Sequence, residues 1–197
     1  MTSFIGNDRL SLVLVLVAVL IAGCATSGNE DRGLPATNPP PSEPFKNFGQ
    51  FRLEPVTLSP TVQRQAYGES ARADIDRSLQ QSLGVLLASW DKGSGRTLVV
   101  QPMVEDVLFV GGGGQFYMGA PAGSPAMVMR VVYRDQATGA EIATPVFYQH
   151  ASAMSGTTGF GTVLGRSADL ITLYARDNYE TAVGGPTGAP PGVAKGN

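Results

Sequence analysis

The sequence predicts an α+β fold: a two-layer α/β sandwich with elements in the order β-α-β-β-β-α, a mainly antiparallel sheet and helices on one face. Three observations predict it. Ile75, Leu79, Leu83, Leu86, Leu87 and Trp90 recur at three- and four-residue spacing and form one apolar helical stripe. Met127, Met129, Val131 and Tyr133 alternate with Val128, Arg130, Val132 and Arg134, the pattern of a strand with two unlike faces. Asp135-Gln-Ala-Thr-Gly139 supplies a turn, and another strand-like run from Glu141 to Ala153 follows it.

Taken in order, the chain opens with an apolar run. Leu10 to Ala22 is apolar apart from Ser11, and Gly23 and Cys24 follow. Such a run is shorter than the about 20 residues a membrane-spanning helix needs, and it fits the apolar part of a secretory signal. Ile21-Ala22-Gly23-Cys24 resembles the lipobox of bacterial lipoproteins. That resemblance implies a signal peptide over 1–23, lipid (palmitate among the acyl chains) on Cys24, and a membrane partner reached through that lipid. Ala25 in place of Asp implies, by the same resemblance, sorting to the periplasmic face of the outer membrane. Residues 24–44 read as a flexible, Pro-rich tether, with Leu34 its only large apolar side chain. Extended at about 3.1 Å per residue, it would reach about 60 Å.

A periplasmic α/β domain is expected over 45–183. Phe45 to Leu58 alternates weakly and reads as a half-buried strand. Ser59-Pro60 has the residue types of a helix N-cap and first helical position. The main helix is expected from about Glu69 to Trp90, with Gly93 as its stop. Arg96 to Val110 reads as a strand whose apolar face changes phase near Pro102, which predicts a bulge or an edge position. Pro145 likewise marks the third strand of the hairpin region as an edge. A second long helix is expected from about Arg166 to Val183, with Leu170, Leu173, Tyr174 and Ile171 inward, and 184–197 reads as a disordered Gly/Pro tail. With a crossover connection, the first two strands run parallel. That topology places the Gly-rich stretches 111–125 and 155–165 at one end of the sheet and the tether at the other.

Composition excludes several functions. The formal charge is −2, with no Lys/Arg cluster, so a nucleic-acid partner lacks its basic footprint. The single cysteine is consumed by the lipid, which removes disulfide and thiolate chemistry. No His/Asp/Glu cluster suggests a metal, and no cofactor is implied. Gly156 to Ser167 lies where phosphate loops occur, but Phe160 stands at the first glycine position, Arg166 at the lysine position, and Leu164 at the last glycine of a dinucleotide pattern. The stretch therefore reads as a flexible connection. His150, the only histidine, has Ser152 and Ser155 nearby but no nucleophile-elbow motif, and reads as a packed or surface residue. Glu105 and Asp106 would point to opposite faces of a regular strand and cannot act as a carboxylate pair.

The unusual feature is Gly111-Gly-Gly-Gly-Gln-Phe116-Tyr117-Met118, in which four glycines precede two aromatics and a methionine, side-chain types enriched at interfaces. Phe116, Tyr117 and Met118 are the candidate partner-binding residues; the competing reading has Phe116 or Met118 folding back to cap the core. The expected function is that of a non-catalytic adaptor or accessory subunit of a cell-envelope (transport or cell-wall) assembly, with an envelope protein as partner. A periplasmic binding module for a small or lipidic ligand is the alternative, and an enzyme comes third. Cys24→Ser should leave unprocessed precursor that incorporates no labelled palmitate, and an ordinary processed, labelled product would refute the lipobox.

Overall fold

The computed structural model describes residues 34–65, 68–108, 124–151 and 158–190. Elements run in the order β1 (Thr37–Asn38), a 3-10 turn (Phe45–Asn47), β2 (Gln50–Leu53), β3 (Thr57–Leu58), α1 (Pro60–Gln63) and α2 (Gly68–Leu79). A π-helical turn (Gln80–Gly84) then leads into α3 (Val85–Trp90), β4 (Thr97–Leu108), β5 (Ala126–Asp135), β6 (Glu141–Ala143), β7 (Val146–His150), α4 (Thr158–Glu180) and β8 (Gly185–Pro186). In the main sheet β4 and β5 lie at the centre. β2 and β3 flank β4, both parallel to it, and β6 and β7 flank β5, both antiparallel. The α+β sandwich with helices on one face is what the alternation and the helical stripe predict.

Alternation on β4 and β5 sorts the two faces. Val100, Val104 and Val107 of β4, with Met127, Met129, Val131 and Tyr133 of β5, bury against Ile75, Leu79, Leu83 and Leu87 of the long helix and Val163, Ala168 and Ile171 of α4. Phe45 stacks on Tyr133 at 4.7 Å, and Tyr174 meets Phe147 edge-on at 5.8 Å, so aromatic pairs close this core at the β6 side. The Tyr174 hydroxyl donates to the Pro39 carbonyl at 3.0 Å. At the N-terminus of α1, Ser59 Oγ accepts from the Val62 amide, and Pro60 takes the position where its missing N–H costs nothing.

Phe45 to Leu58, expected as one strand, is a 3-10 turn and two short strands. Pro102 explains the break between the strands. The carbonyls of Val100, Pro102 and Val104 all face this side, accepting from Glu54 N, Thr57 Oγ1 and Ser59 N. The absent N–H of Pro102 therefore points at the gap between Leu53 and Thr57, where no strand requires it. β4 is thus central rather than an edge, and its bulge lies between Val104 and Asp106 instead of at Pro102. Pro145 does sit on an edge, between β6 and β7. The last helix begins at Thr158 rather than Arg166, taking in Gly159, Gly161 and Gly165. Each interior glycine costs about 1 kcal/mol relative to alanine, and burial of Val163, Leu164, Ser167 and Ala168 offsets that.

The segments read as tether and tail differ most from expectation. Leu34 is buried against Ala126, Val128 and Tyr148 on the helix-free face of the sheet. From there the chain follows the β7–β6 edge: the Asn38 side chain donates to the Val146 carbonyl at 2.9 Å and accepts from its amide at 2.8 Å, and Ser42 N donates to the Ile142 carbonyl. β1 pairs with β8, while Tyr148 N donates to the Thr187 carbonyl. Gly184 permits this closure, since its φ is +78° and a Cβ there would lie 2.4 Å from the Asn38 carbonyl oxygen. Residues 34–44 and 184–190 are therefore part of the domain. The remainder of both segments, 24–33 and 191–197, lies outside the described residues.

At the opposite end of the sheet, Arg96 joins three chain segments. Its guanidinium donates to Asp135 Oδ2 at 2.8 and 2.6 Å and to both Glu43 carboxylate oxygens at 2.9 and 2.7 Å, and it lies 4.3 Å above the Phe48 ring. Asp135 also accepts from the Ala137 and Thr138 amides, fixing the turn that Gly139 completes with φ +72°. Arg96 holds both carboxyls below the ordinary carboxylate range.

Two outcomes follow for stability. Leu83→Ala, in the middle of the buried stripe, should cost about 2–5 kcal/mol, whereas Arg72→Asp should stay within about 0.5 kcal/mol, both read from denaturant melts. Because the Asp135 and Glu43 carboxyls are depressed, the stabilisation they give is complete above their ordinary pKa of about 4 and is lost as pH falls through the depressed values. Arg96→Met should lower the melting temperature at neutral pH and flatten the part of the stability profile below about pH 4; an unchanged acid limb would refute the clamp.

Candidate functional site

Two of the sequence-derived sites, Cys24 and the Phe116-Tyr117-Met118 group, lie outside the described residues. The elements flanking the second are well placed: Leu108, the last residue of β4, pairs with Ala126, the first of β5, so 109–125 joins the two central strands at one end. Leu34 packs on Ala126 and Val128 at this same end. The chain enters β2 at the other end, with Gln50 opposite Thr97, as the topology read from the sequence expects, although the described part of the tether begins at Leu34 beside Ala126. The reason is that 34–44 runs the length of the β7–β6 edge before reaching β2.

Around Ala126 the helix-free face gathers polar atoms that have no partner among the described residues. Register brings His150 opposite Ala126 and Tyr148 opposite Val128, and Ser124 continues the same face two residues before Ala126. Ser124 Oγ, the Tyr148 hydroxyl and His150 Nδ1 are all buried and, among the described residues, make no hydrogen bond. The rings of Tyr148 and His150 lie 5.8 Å apart, and burial pushes the Tyr148 phenol up. Such atoms can take up water or a polar group, since leaving each unpaired costs about 1–3 kcal/mol. Sequence reasoning singled out His150 but missed Ser124 and Tyr148. Only the strand register, which is not a local pattern, brings the three together.

The remaining candidates resolve into structural roles or fall outside the described residues. Glu105 sits at the β4 bulge and pairs with Arg130 Nε on the neighbouring strand, while Asp106 Oδ1 accepts from the Val107 amide at 2.7 Å. They are separately engaged and form no carboxylate pair. Ser152 and Ser155 lie outside the described residues, as do Gly156 and Thr157; from Thr158 onward the Gly-rich stretch is helix rather than a connection. Arg166 is exposed on that helix and Ser167 is buried in its inner face. Among the described residues no group of three or more His, Cys, Asp or Glu could hold a metal ion, and no helix is long and apolar enough to cross a membrane.

No protein-family model matches this chain, and no curated protein matches it. Among solved structures it is similar to the PelC dodecamer protein from Paraburkholderia phytofirmans, at 12% identity and a TM-score of 0.37, covering 75% of this chain and 96% of that one. A candidate lipoprotein from Caulobacter crescentus matches at 12% identity and a TM-score of 0.33, over 60% of this chain and 85% of that one. Protein XCC0632 from Xanthomonas campestris matches at 9% identity and a TM-score of 0.39, over 72% and 90%. At these identities and scores the likenesses assign no activity, ligand or partner.

Proposed function

We propose that this chain is a lipid-anchored envelope lipoprotein, held at the periplasmic face of the outer membrane through Cys24, whose domain acts as a non-catalytic adaptor for another envelope protein. The observation that carries the reading is the apolar run ending in Ile21-Ala22-Gly23-Cys24. One acyl chain binds a bilayer only reversibly, and two or more hold it stably, so a lipoprotein's acyl set makes a lasting anchor. The partner-binding residues in this reading remain Phe116, Tyr117 and Met118, on the connection between the two central strands.

The alternative, a ligand module with its cleft between the Met-bearing sheet face and the helices, finds less support. Met127 and Met129 are 1% and 0% exposed, inside a continuous cluster with the helix stripe. A core occupied in this way favours the adaptor.

Replacing Phe116, Tyr117 and Met118 together by Ser should leave the melting temperature within a few degrees and abolish capture of a partner by a photo-crosslinker placed at the neighbouring Gln115 in native envelopes. Capture that persists unchanged in the triple variant would overturn the adaptor site. A large fall in melting temperature would make these side chains part of the core.

A further inference from the structure

We propose that the outer edge of β7 is a docking site for an extended segment of another protein, and that residues 34–38 and 185–189 form a clasp that holds it closed. The proposal goes beyond the adaptor reading and depends on neither Cys24 nor positions 116–118. Its basis is how the clasp is attached. Leu34 packs with Ala126, Val128 and Tyr148 in a cluster separate from the main core, with Val146 and Ala189 against it. Residues 34–38 reach β7 through two side chains, Leu34 in that recess and Asn38 on the Val146 amide and carbonyl. The other half of the clasp adds one backbone bond, from the Tyr148 amide to the Thr187 carbonyl. The two halves hold each other: Thr37–Asn38 pair with Gly185–Pro186, and Thr187 donates to the Pro35 and Ala36 carbonyls. Both are pinned at their bases, Pro39 by the Tyr174 hydroxyl and Gly184 by the Asn178 carboxamide.

Such a unit opens beyond its pins without disturbing the helix-covered core, which is the condition for a local opening. Opening also lets water reach the Tyr148 hydroxyl, which the closed clasp leaves buried with no partner among the described residues. The clasp itself shows what fits the site. It is an extended segment with an aliphatic side chain for the recess and a carboxamide four positions on that gives and takes one bond with Val146. The Val146 and Tyr148 amides face outward in one phase, so an incoming backbone can bond the edge directly, as an added strand does. A second copy of this chain carries the same segment, but Thr187 and Val146 of that copy already engage it. The occupant is therefore a segment of a different protein.

The test uses the full chain in non-ionic detergent and, as probe, a fluorescein-labelled peptide with the sequence of residues 34–44. A chain carrying Leu34→Ser and Asn38→Ala keeps the recess but weakens its own clasp. It should bind the peptide roughly tenfold or more tightly than the unaltered chain, whose affinity is reduced by its small open fraction. Thr187→Val, which loosens the clasp without touching the recess, should give an intermediate affinity. The same peptide with Leu34→Ser should bind none of the chains. In the unaltered chain, the Val146 and Tyr148 amides should exchange hydrogen several-fold faster than the Val131 amide inside the sheet. Equal exchange would overturn the opening, and equal peptide affinity of all three chains would overturn the clasp as competitor. Absence of binding by a variant that keeps the melting temperature of the unaltered chain would overturn the docking site. Self-association of the double variant without peptide would assign the recess to a second copy and overturn the proposed partner.

Discussion

The antiparallel register between β4 and β5 determines which side chains see the helices and which do not. Because side chains alternate with period two, pairing Val100 with Tyr133 and Val104 with Met129 sends Val100, Val104, Met129, Val131 and Tyr133 to one face. A slip of one residue would bury Arg130 and Arg134 instead. The bulge between Val104 and Asp106 restores the phase, so that Val107 reaches the core opposite Met127. Glu105, the extra residue at that bulge, is then free to pair with Arg130 on the outer face. The orphaned hydroxyls and imidazole around Ala126 are placed by the same register.

A four-position sheet has two edges, and each is blocked differently. On the β2 side two carboxylates from the helix layer act as acceptors: Asp91, just past the end of α3, takes the Phe51 amide at 3.2 Å, and Asp76 of α2 the Val56 amide at 2.9 Å. On the β7 side the Asn38 amide group stands in for a strand, giving and receiving one hydrogen bond with Val146, while Thr187 receives the Tyr148 amide. Open edges template pairing with other chains, and both solutions remove backbone donors without adding a full strand.

Much of the fold was legible in the sequence because its signals are local. The Ser59-Pro60 cap, the stripe from Ile75 to Leu87, the alternation from Met127 to Tyr133 and the Asp135–Gly139 turn each lie within one element and follow its period. What was not legible depends on distant partners. Nothing near Asn38 announces that its side chain will mimic a strand, and nothing near Arg96 identifies Glu43 as a ligand across the chain. Glycines at 159, 161 and 165 read locally as a loop, and burial on the inner face of α4 overrides that preference. For the candidate site, the sequence could name a lone histidine, but only strand pairing sets it beside Tyr148 and Ser124.

The meeting of the two chain ends on the β7 edge also orders events in time. The Thr187 hydroxyl donates to the Pro35 carbonyl across 152 positions, and Thr187 N reaches the Ala36 carbonyl. Contacts of such separation form late, because the loop they close must be paid for before they reward it. In a chain that emerges amino terminus first, Leu34 is present long before Thr187. Until then the Tyr148 amide on the β7 edge is uncovered and β1 has no partner strand, so residues 184–190 are the segment that closes the domain.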